Sequence, residues 1–392
     1  MTADAVGRQL RVALAAEAYL AALAGLDGMG PRRLGALLDA HAEPARAWAS
    51  VAGGRAAAEP AVAAVLGRDP ARRAARWAAQ ARSVDPEELL ARHRAFGVTL
   101  LTPWHPAWPV RLADDPEPPV MLCTRGDPGA LAGPACAIVG TRSCSGEGRR
   151  TAHDIARDLA DAGVAVVSGL ALGSDGAAHR GARAAGPGAG GPVGVVAGGV
   201  DVTYPPAHAG LFDEVAAAGA LVSEAPLGTK PERWRFPARN RIIAALSDLV
   251  VVVESHDRGG SMHTVEAAIE RDRTVGAVPG PVRSPASAGT NALLADQALV
   301  VRDASDVLVA LGMTHLALPG PQTANDRSRP PLEGADAAVF DAVGFAPTST
   351  DDVLSGAGVG LGAALTSLHR LAAAGWVEAG PGCWSRRGDS RR

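Results

Sequence analysis

From Cys136 onward the chain predicts an α/β fold built on a doubly wound, mostly parallel sheet, and two observations carry that expectation. Short apolar runs, of the kind needed by strands buried on both faces, recur at Ala137–Val139, Val164–Ser168, Val193–Ala197, Ala220–Ser223, Leu249–Glu254, Thr274–Val278 and Leu299–Val301. Segments with helical apolar spacing alternate with them, at Arg149–Ala162, Gly176–Ala185, Ala209–Ala217, Arg239–Leu246, Thr264–Arg271 and Thr290–Ala295. Ligands in such sheets sit outside the carboxyl ends of the strands, so the loops that follow each strand are the informative ones.

The flanks read differently. Residues 10–82 are rich in Ala, Leu and Arg with apolar spacing near 3.6, and predict a bundle of short helices within a helical domain over 1–90. Inside it, Gly28-Met29-Gly30-Pro31-Arg32-Arg33-Leu34 is a glycine turn followed by a helix. It is similar to a helix-hairpin-helix turn, whose N–H groups can hold a nucleic-acid phosphate, although an isolated match of this kind is more often an ordinary helix corner. Residues 91–134 form a Pro-rich connector with short strands expected at Gly97–Leu101 and around Val120–Cys123, where Trp104, His105 and Trp108 read as packing residues. The sheet domain spans 135–312, and 313–331 is a Pro, Gly and Asn-rich linker. Helices at Leu332–Val343, Ser349–Leu354 and Leu361–Ala373, then a strand at Gly375–Glu378 and a return at Pro381–Trp384, outline a winged helix over 332–385. His369 and Arg370 are the only obvious cations on its third helix, so a protein rather than duplex DNA is its expected partner.

Composition bounds the function. A chain of 392 residues calls for two to four domains. The net charge of −3 leaves no general basic footprint, so nucleic-acid binding would need a local patch. Lys230 is the sole lysine, which makes Arg in place of Lys uninformative at any single position. Cys123, Cys136, Cys144 and Cys383 form no Cys-x-x-Cys pair and no zinc spacing, and read as reduced thiols of a cytoplasmic protein. No 18-residue apolar stretch predicts a membrane span, and Arg8, Arg11 and Glu17 interrupt any signal-like run at the start.

The local patch is Lys230–Arg241. Arg233, Arg235, Arg239 and Arg241 fall within nine residues, interleaved with Trp234 and Phe236 and opposed by Glu232. An extended Arg233–Phe236 would set guanidinia on one side and rings on the other, with Pro237 ending the strand and a helix starting at Arg239. Arginines for phosphates and rings for base faces are what a single-strand groove needs; the plainer alternative is a solvated basic loop with two rings in the core.

The strand-end loops supply backbone donors. Gly140-Thr141-Arg142-Ser143-Cys144-Ser145-Gly146-Glu147-Gly148 suits a phosphate cradle at a helix start, although it is neither a dinucleotide fingerprint nor a P-loop. Ser168–Asp175 leads into a helix carrying His179, with Asp175 placed to cap that helix. Gly198-Gly199-Val200-Asp201 with Tyr204-Pro205, Arg258–Glu266, Val278-Pro279-Gly280 and Gly289-Thr290-Asn291 complete one concave ledge. No nucleophile elbow and no metal-ligand spacing occurs, so a catalytic role would rest on Glu266 or Asp175 alone.

These residues together resemble the DprA/Smf, or DNA-processing protein A, family. The carriers are Val139–Arg142, Ser168–Asp175 with His179, Tyr204-Pro205, Ser223-Glu224, Phe236–Arg241, the Gly260 loop, Pro279-Gly280 and Gly289-Thr290-Asn291, in the family's order over 137–301. The resemblance implies an extended Rossmann-like domain that binds single-stranded DNA without catalysis or cofactor, dimerises, and helps load a RecA-type recombinase during natural transformation. By position, Gly140, Thr141 and Arg142 would hold phosphate, Ser168 and Gly169 would line the same pocket, Phe236 would contact a base, and Arg239 and Asn240 the backbone. Arg233 stands where the family usually has a cation. Glu147 replaces a common tyrosine, and an acid there would weaken anion binding. The rival reading is a nucleoside-monophosphate phosphoribohydrolase of the lysine-decarboxylase-like family, whose glycine loop and glutamate are echoed by Gly259, Gly260 and Glu266.

Overall fold

A computed structural model describes residues 15–186, 188–313, 332–344, 347–380 and 382–386 of the chain. It divides into two compact units, Met1–Leu316 and Ala317–Arg392. The linker expected at 313–331 lies, apart from Met313, outside the described residues.

The first unit is organised by a nine-stranded sheet. Its strands are β1 (Val98–Leu101), β2 (Leu122–Gly126), β3 (Ala135–Val139), β4 (Ala165–Ser168), β5 (Pro192–Val195), β6 (Ala220–Ser223), β7 (Leu249–Val252), β8 (Thr274–Ala277) and β9 (Leu299–Val300). The spatial order is β1-β2-β6-β5-β4-β3-β7-β8-β9, parallel from β6 to β9, with β2 antiparallel to β6 and β1 antiparallel to β2. Every residue of β3, β4, β5, β6 and β7 is buried, which is why these strands are unbroken apolar runs in the sequence.

The chain winds from β3 through β4 and β5 to β6, then returns to the other side of β3 to lay down β7. That reversal leaves a crevice at the carboxyl ends of β3 and β7, the place where doubly wound sheets take ligands. The two strands of the Pro-rich connector are not a separate segment. They extend the sheet past β6 as an antiparallel edge, since Cys123 pairs with Ser223 and Leu100 with Cys123. Trp108 packs on the sheet core as expected, whereas Trp104 is 52% exposed and is not a packing residue.

Two apolar layers sandwich the sheet. On one face Val139, Val167, Val195, Val222, Val250 and Val252 pack with Ile242–Leu246. On the other, Leu100, Cys123 and Leu221 share a core with Leu20, Leu23, Leu37, Trp48 and Trp77 from the N-terminal helices. Those helices run over residues 15–24 and at Pro31–His41, Pro44–Ala52, Pro60–Val65, Pro70–Ala81 and Pro86–Ala95. Five of them begin with proline, whose missing N–H costs nothing at a first helical position.

The second unit has its own core of Val339, Val343, Val353, Ala364, Leu368, Leu371 and Val377. Helices Gly334–Ala342, Thr350–Ala357 and Leu361–Ala373 accompany strands β10 (Thr348–Ser349), β11 (Val377–Gly380) and β12 (Cys383–Arg386), ordered β10-β12-β11 and antiparallel. On the third helix Arg370 is paired with Asp336 at 2.8 Å. Among the described residues no helix is long and apolar enough to cross a membrane, and no cluster of three or more His, Cys, Asp or Glu is arranged to hold a metal.

Candidate nucleic-acid interface

The crevice beyond β3 and β7 is a cleft of about 460 Å³. Gly140, Thr141 and Arg142 enter it from β3, His256, Gly259 and Gly260 from β7, and Phe236, Arg239 and Asn240 from the helix between β6 and β7. The Gly140–Arg142 loop is held by the Thr141 N–H, which donates to the Glu254 carbonyl at 2.7 Å. Arg142 then emerges exposed, with its guanidinium carbon 5.7 Å from the centre of the Phe236 ring. The other neighbour of Phe236 is Tyr204, 45% exposed, with ring centres 5.5 Å apart and planes tilted by 58°. A cation and two rings thus line up at the sheet's reversal point, the composition that stacks bases and holds their phosphates. Tyr204 was not among the predicted site residues; its signal in the sequence was its place in the loop after the third predicted strand.

The basic aromatic stretch differs from the extended strand expected of it. The helix runs Arg235–Ala245, so Arg233 and Trp234 form the turn before it and Pro237 lies inside its first turn. Proline is tolerated there because the first four N–H groups of a helix have no partner within it. Helical spacing then replaces alternation: Phe236, Asn240 and Ile243 share the cleft-facing side. The Asn240 side-chain amide donates to the Gly260 carbonyl at 3.4 Å, tying the helix to the loop after β7. Arg241 faces away, with one arm on the Glu117 carbonyl and another on the Glu224 carboxylate, and is structural. Arg235 lies over Trp234, 4.4 Å from the ring centre, and Arg233 is exposed.

Arg239, which the family resemblance set against a DNA backbone, is 8% exposed, at the floor of the cleft. Its Nη1 donates to the Val195 carbonyl at 3.1 Å. A β-carbon on Gly169 would come within 1.6 Å of that nitrogen, so only glycine lets the arginine pass. Asp175 lies beside it and does not cap its helix; its Oδ2 accepts from the N–H groups of Gly169 at 3.2 Å and Ala171 at 3.4 Å. Burial raises the Asp175 carboxyl, with Arg239 opposing, while burial lowers the Arg239 guanidinium to about 10. Arg239 therefore stays charged at neutral pH. Ser168 and Gly169 do not line the cleft: both are buried, and the Ser168 hydroxyl donates to the Ile138 carbonyl at 2.7 Å, stitching β4 to β3.

The helix start after β3 is also not the open phosphate cradle that the sequence suggested. The Glu254 carboxylate from the end of β7 accepts from the Ser145 N–H at 2.8 Å and from the Ser145 hydroxyl at 2.6 Å, and the Gly148 N–H donates to that hydroxyl at 2.9 Å. The protein's own anion occupies the positive end of the Gly146–Asp161 helix. Arg142 is the exposed arginine of the cleft lining. Glu147, the acid expected to oppose anion binding, is exposed, lies 3.6 Å from Arg150 and does not line the cleft. Glu266 is exposed and accepts from His263 at 3.2 Å; it lines the adjoining groove, while Gly259 and Gly260 border the cleft.

Comparison with known proteins gives a consistent result. Residues 99–312 match the family model described as DNA recombination-mediator protein A. A DNA processing protein DprA of Mycobacterium tuberculosis is 38% identical over 323 residues, covering 77% of this chain and 80% of the relative. The protein Smf of Escherichia coli is 35% identical over 285 residues, covering 71% and 75%. The X-ray structure of DNA processing protein A from Streptococcus pneumoniae superposes with a TM-score of 0.60 at 29% identity, covering 74% of this chain and 95% of that one.

Proposed function

The chain belongs to the DprA/Smf family of DNA processing proteins, and from that premise we propose that it binds single-stranded DNA in the cleft beyond β3 and β7 and passes it to a RecA-type recombinase. The observation that carries the reading is the alignment of Arg142, Phe236 and Tyr204 at the sheet's reversal point. A base stacks on the exposed part of the rings, Arg142 meets the adjoining phosphate, and Asn240 borders the same wall. Arg239 acts from below as a positioning residue, its charge buried under the strand and balanced by Asp175. Arg233, exposed in the turn ahead of Phe236, meets a flanking phosphate. The protein is not an enzyme in this reading, and it works in the cytoplasm as a homodimer through the sheet unit. The second unit is a winged helix whose partner is a protein, because the arginine on its third helix is already paired with Asp336.

Titration of single- and double-stranded oligonucleotides across a salt series tests the central claim. Single strands are expected to bind more tightly, with little sequence preference. Phe236→Ala is expected to weaken single-strand binding by about 1–3 kcal/mol without changing the salt slope, since a stacking partner and no charge is lost. Equal or tighter binding to blunt duplex, or release of base from a nucleoside monophosphate that Glu266→Gln abolishes, overturns the reading.

A further inference from the structure

Away from the cleft, two arginines face one another across Gly28: Arg33, on the helix that follows the glycine turn, and Arg73, on the Pro70–Ala81 helix. Arg33 donates from Nε to the Val65 carbonyl at 3.1 Å and from Nη1 to the Gly28 carbonyl, and Arg73 from Nε to the Leu66 carbonyl at 2.9 Å. Both side chains are thereby fixed by carbonyl groups and not by carboxylates. Their Nη1 atoms lie 3.6 Å and 2.9 Å from the point where a side chain on Gly28 would begin. Gly28 has a φ of +65°, so glycine serves the left-handed turn and leaves the space between the guanidinia open. Two acids lie near: Asp27 and Asp69 line one pocket with Arg68 and Arg73, Asp27 pairing with Arg76 and Asp69 accepting from the Arg72 N–H at 3.0 Å. Burial and the charge of Arg73 hold the Arg33 guanidinium below its ordinary value. Arg32 and Arg68 stand exposed on either side.

The turn is connected to the cleft. Pro237 and His263 line both the cleft and a second groove of about 780 Å³, which continues past the Trp234 ring to Gly28, Arg32, Arg33 and Gly67. Trp234 packs edge-on against Gly30, with a ring carbon 3.2 Å from where a β-carbon there would sit. The groove also carries three carboxylates, Glu117 at 3.4 Å from Arg241, Glu266 at 3.2 Å from His263 and Glu270 at 3.7 Å from Arg271, and Arg241 and Arg271 serve Glu224 and Asp115 as well.

We propose that Arg33 and Arg73, with Arg32 and Arg68 flanking, form a second phosphate-binding site that takes the backbone of the same single strand after it leaves the cleft across Trp234. Two guanidinia already held by carbonyl groups present their remaining N–H groups to one anion with little further loss of side-chain entropy on binding. The strand must be long enough to reach the turn, so the site contributes only to longer oligonucleotides.

The inference rests on the single-strand reading, and oligo-dT of increasing length separates the two. Fluorescence anisotropy across a salt series is expected to give the Arg33→Gln/Arg73→Gln variant wild-type affinity for the shortest oligomer that saturates the cleft. For long oligomers its log–log salt slope is expected to fall by about 1.4 units, two phosphate contacts at about 0.7 each. Wild-type protein that binds no oligomer of any length refutes the single-strand reading. Wild-type protein that binds, with a variant matching it at every length and folding normally, refutes only the second site. If the double variant melts early, Arg32→Ala/Arg68→Ala, altered at exposed positions, must show the same length-restricted loss, and its absence overturns the proposal. Inorganic phosphate raising the melting temperature of wild type but not of the Arg33/Arg73 variant, with oligomer binding equal in both, would assign the site to a free anion and likewise overturn it.

Discussion

At the residue scale, Arg142 and Arg239 look alike in the sequence and do different work. Arg142 is exposed beside Phe236, whereas Arg239 is buried against Asp175 and the Val195 carbonyl. Arg142→Ala is expected to reduce the salt slope of single-strand binding by about 0.7 with little change in melting temperature. Arg239→Ala leaves the Asp175 carboxylate buried without its counter-charge, and urea unfolding is expected to register a loss of about 3–5 kcal/mol. His179 adds a pH dependence. It is fully buried, and burial lowers its pKa from 6.5 to about 3, with His208, Arg239 and Arg180 nearby also disfavouring the cation. The unfolded chain thus takes up this proton at a higher pH than the folded one. The stabilisation is complete above pH 6.5 and is lost as pH falls toward 3, at about 1.4 kcal/mol per unit. Unfolding free energies at pH 7 and pH 5 are expected to differ by about 2 kcal/mol more in wild type than in His179→Leu.

At the element scale, two helix starts explain why local pattern was a partial guide. The Gly146–Asp161 helix begins after a small-residue loop that resembles a phosphate cradle, yet Glu254, more than a hundred positions along the chain, fills it. Ser145 is the joint: its hydroxyl accepts from the Gly148 N–H and donates to Glu254. Ser145→Ala removes the cap and one of the Glu254 bonds together, and denaturant unfolding is expected to show a loss of about 1–2 kcal/mol. The Arg235–Ala245 helix starts ahead of Pro237, where alternation of charge and ring suggested a strand. Four residues are too few to separate a period of 2 from one of 3.6, and the burial of Ile242–Leu246 against β7 and its neighbours selected the helix.

At the scale of the whole molecule, each unit closes its own core, and every residue assigned to the cleft and to the Arg33–Arg73 site lies in Met1–Leu316. A chain ending at Met313 is therefore expected to fold and to keep the wild-type affinity and salt slope for single-stranded DNA. Circular dichroism with anisotropy titration checks this, and loss of binding in a folded truncation would place part of the interface in the second unit.

The sequence by itself determined the architecture, because burial on both faces leaves a strand no choice but continuous apolar residues, and β3 to β7 are legible for that reason. It also determined the neighbourhood of the site, since Gly140–Arg142 and Phe236–Asn240 are brought into one cleft by strand order. Which side chains face that cleft was decided only by the tertiary structure. Ser168 and Gly169 turn inward, Arg239 sinks to the floor, Arg241 goes to Glu224, and Tyr204 comes up beside Phe236. The orientation of a charged side chain depends on which carboxylate or carbonyl lies within about 3 Å of it, and those partners come from distant parts of the chain. The arginines that face one another across Gly28 have the same origin, since Arg33 and Arg73 meet only when the N-terminal bundle as a whole has packed.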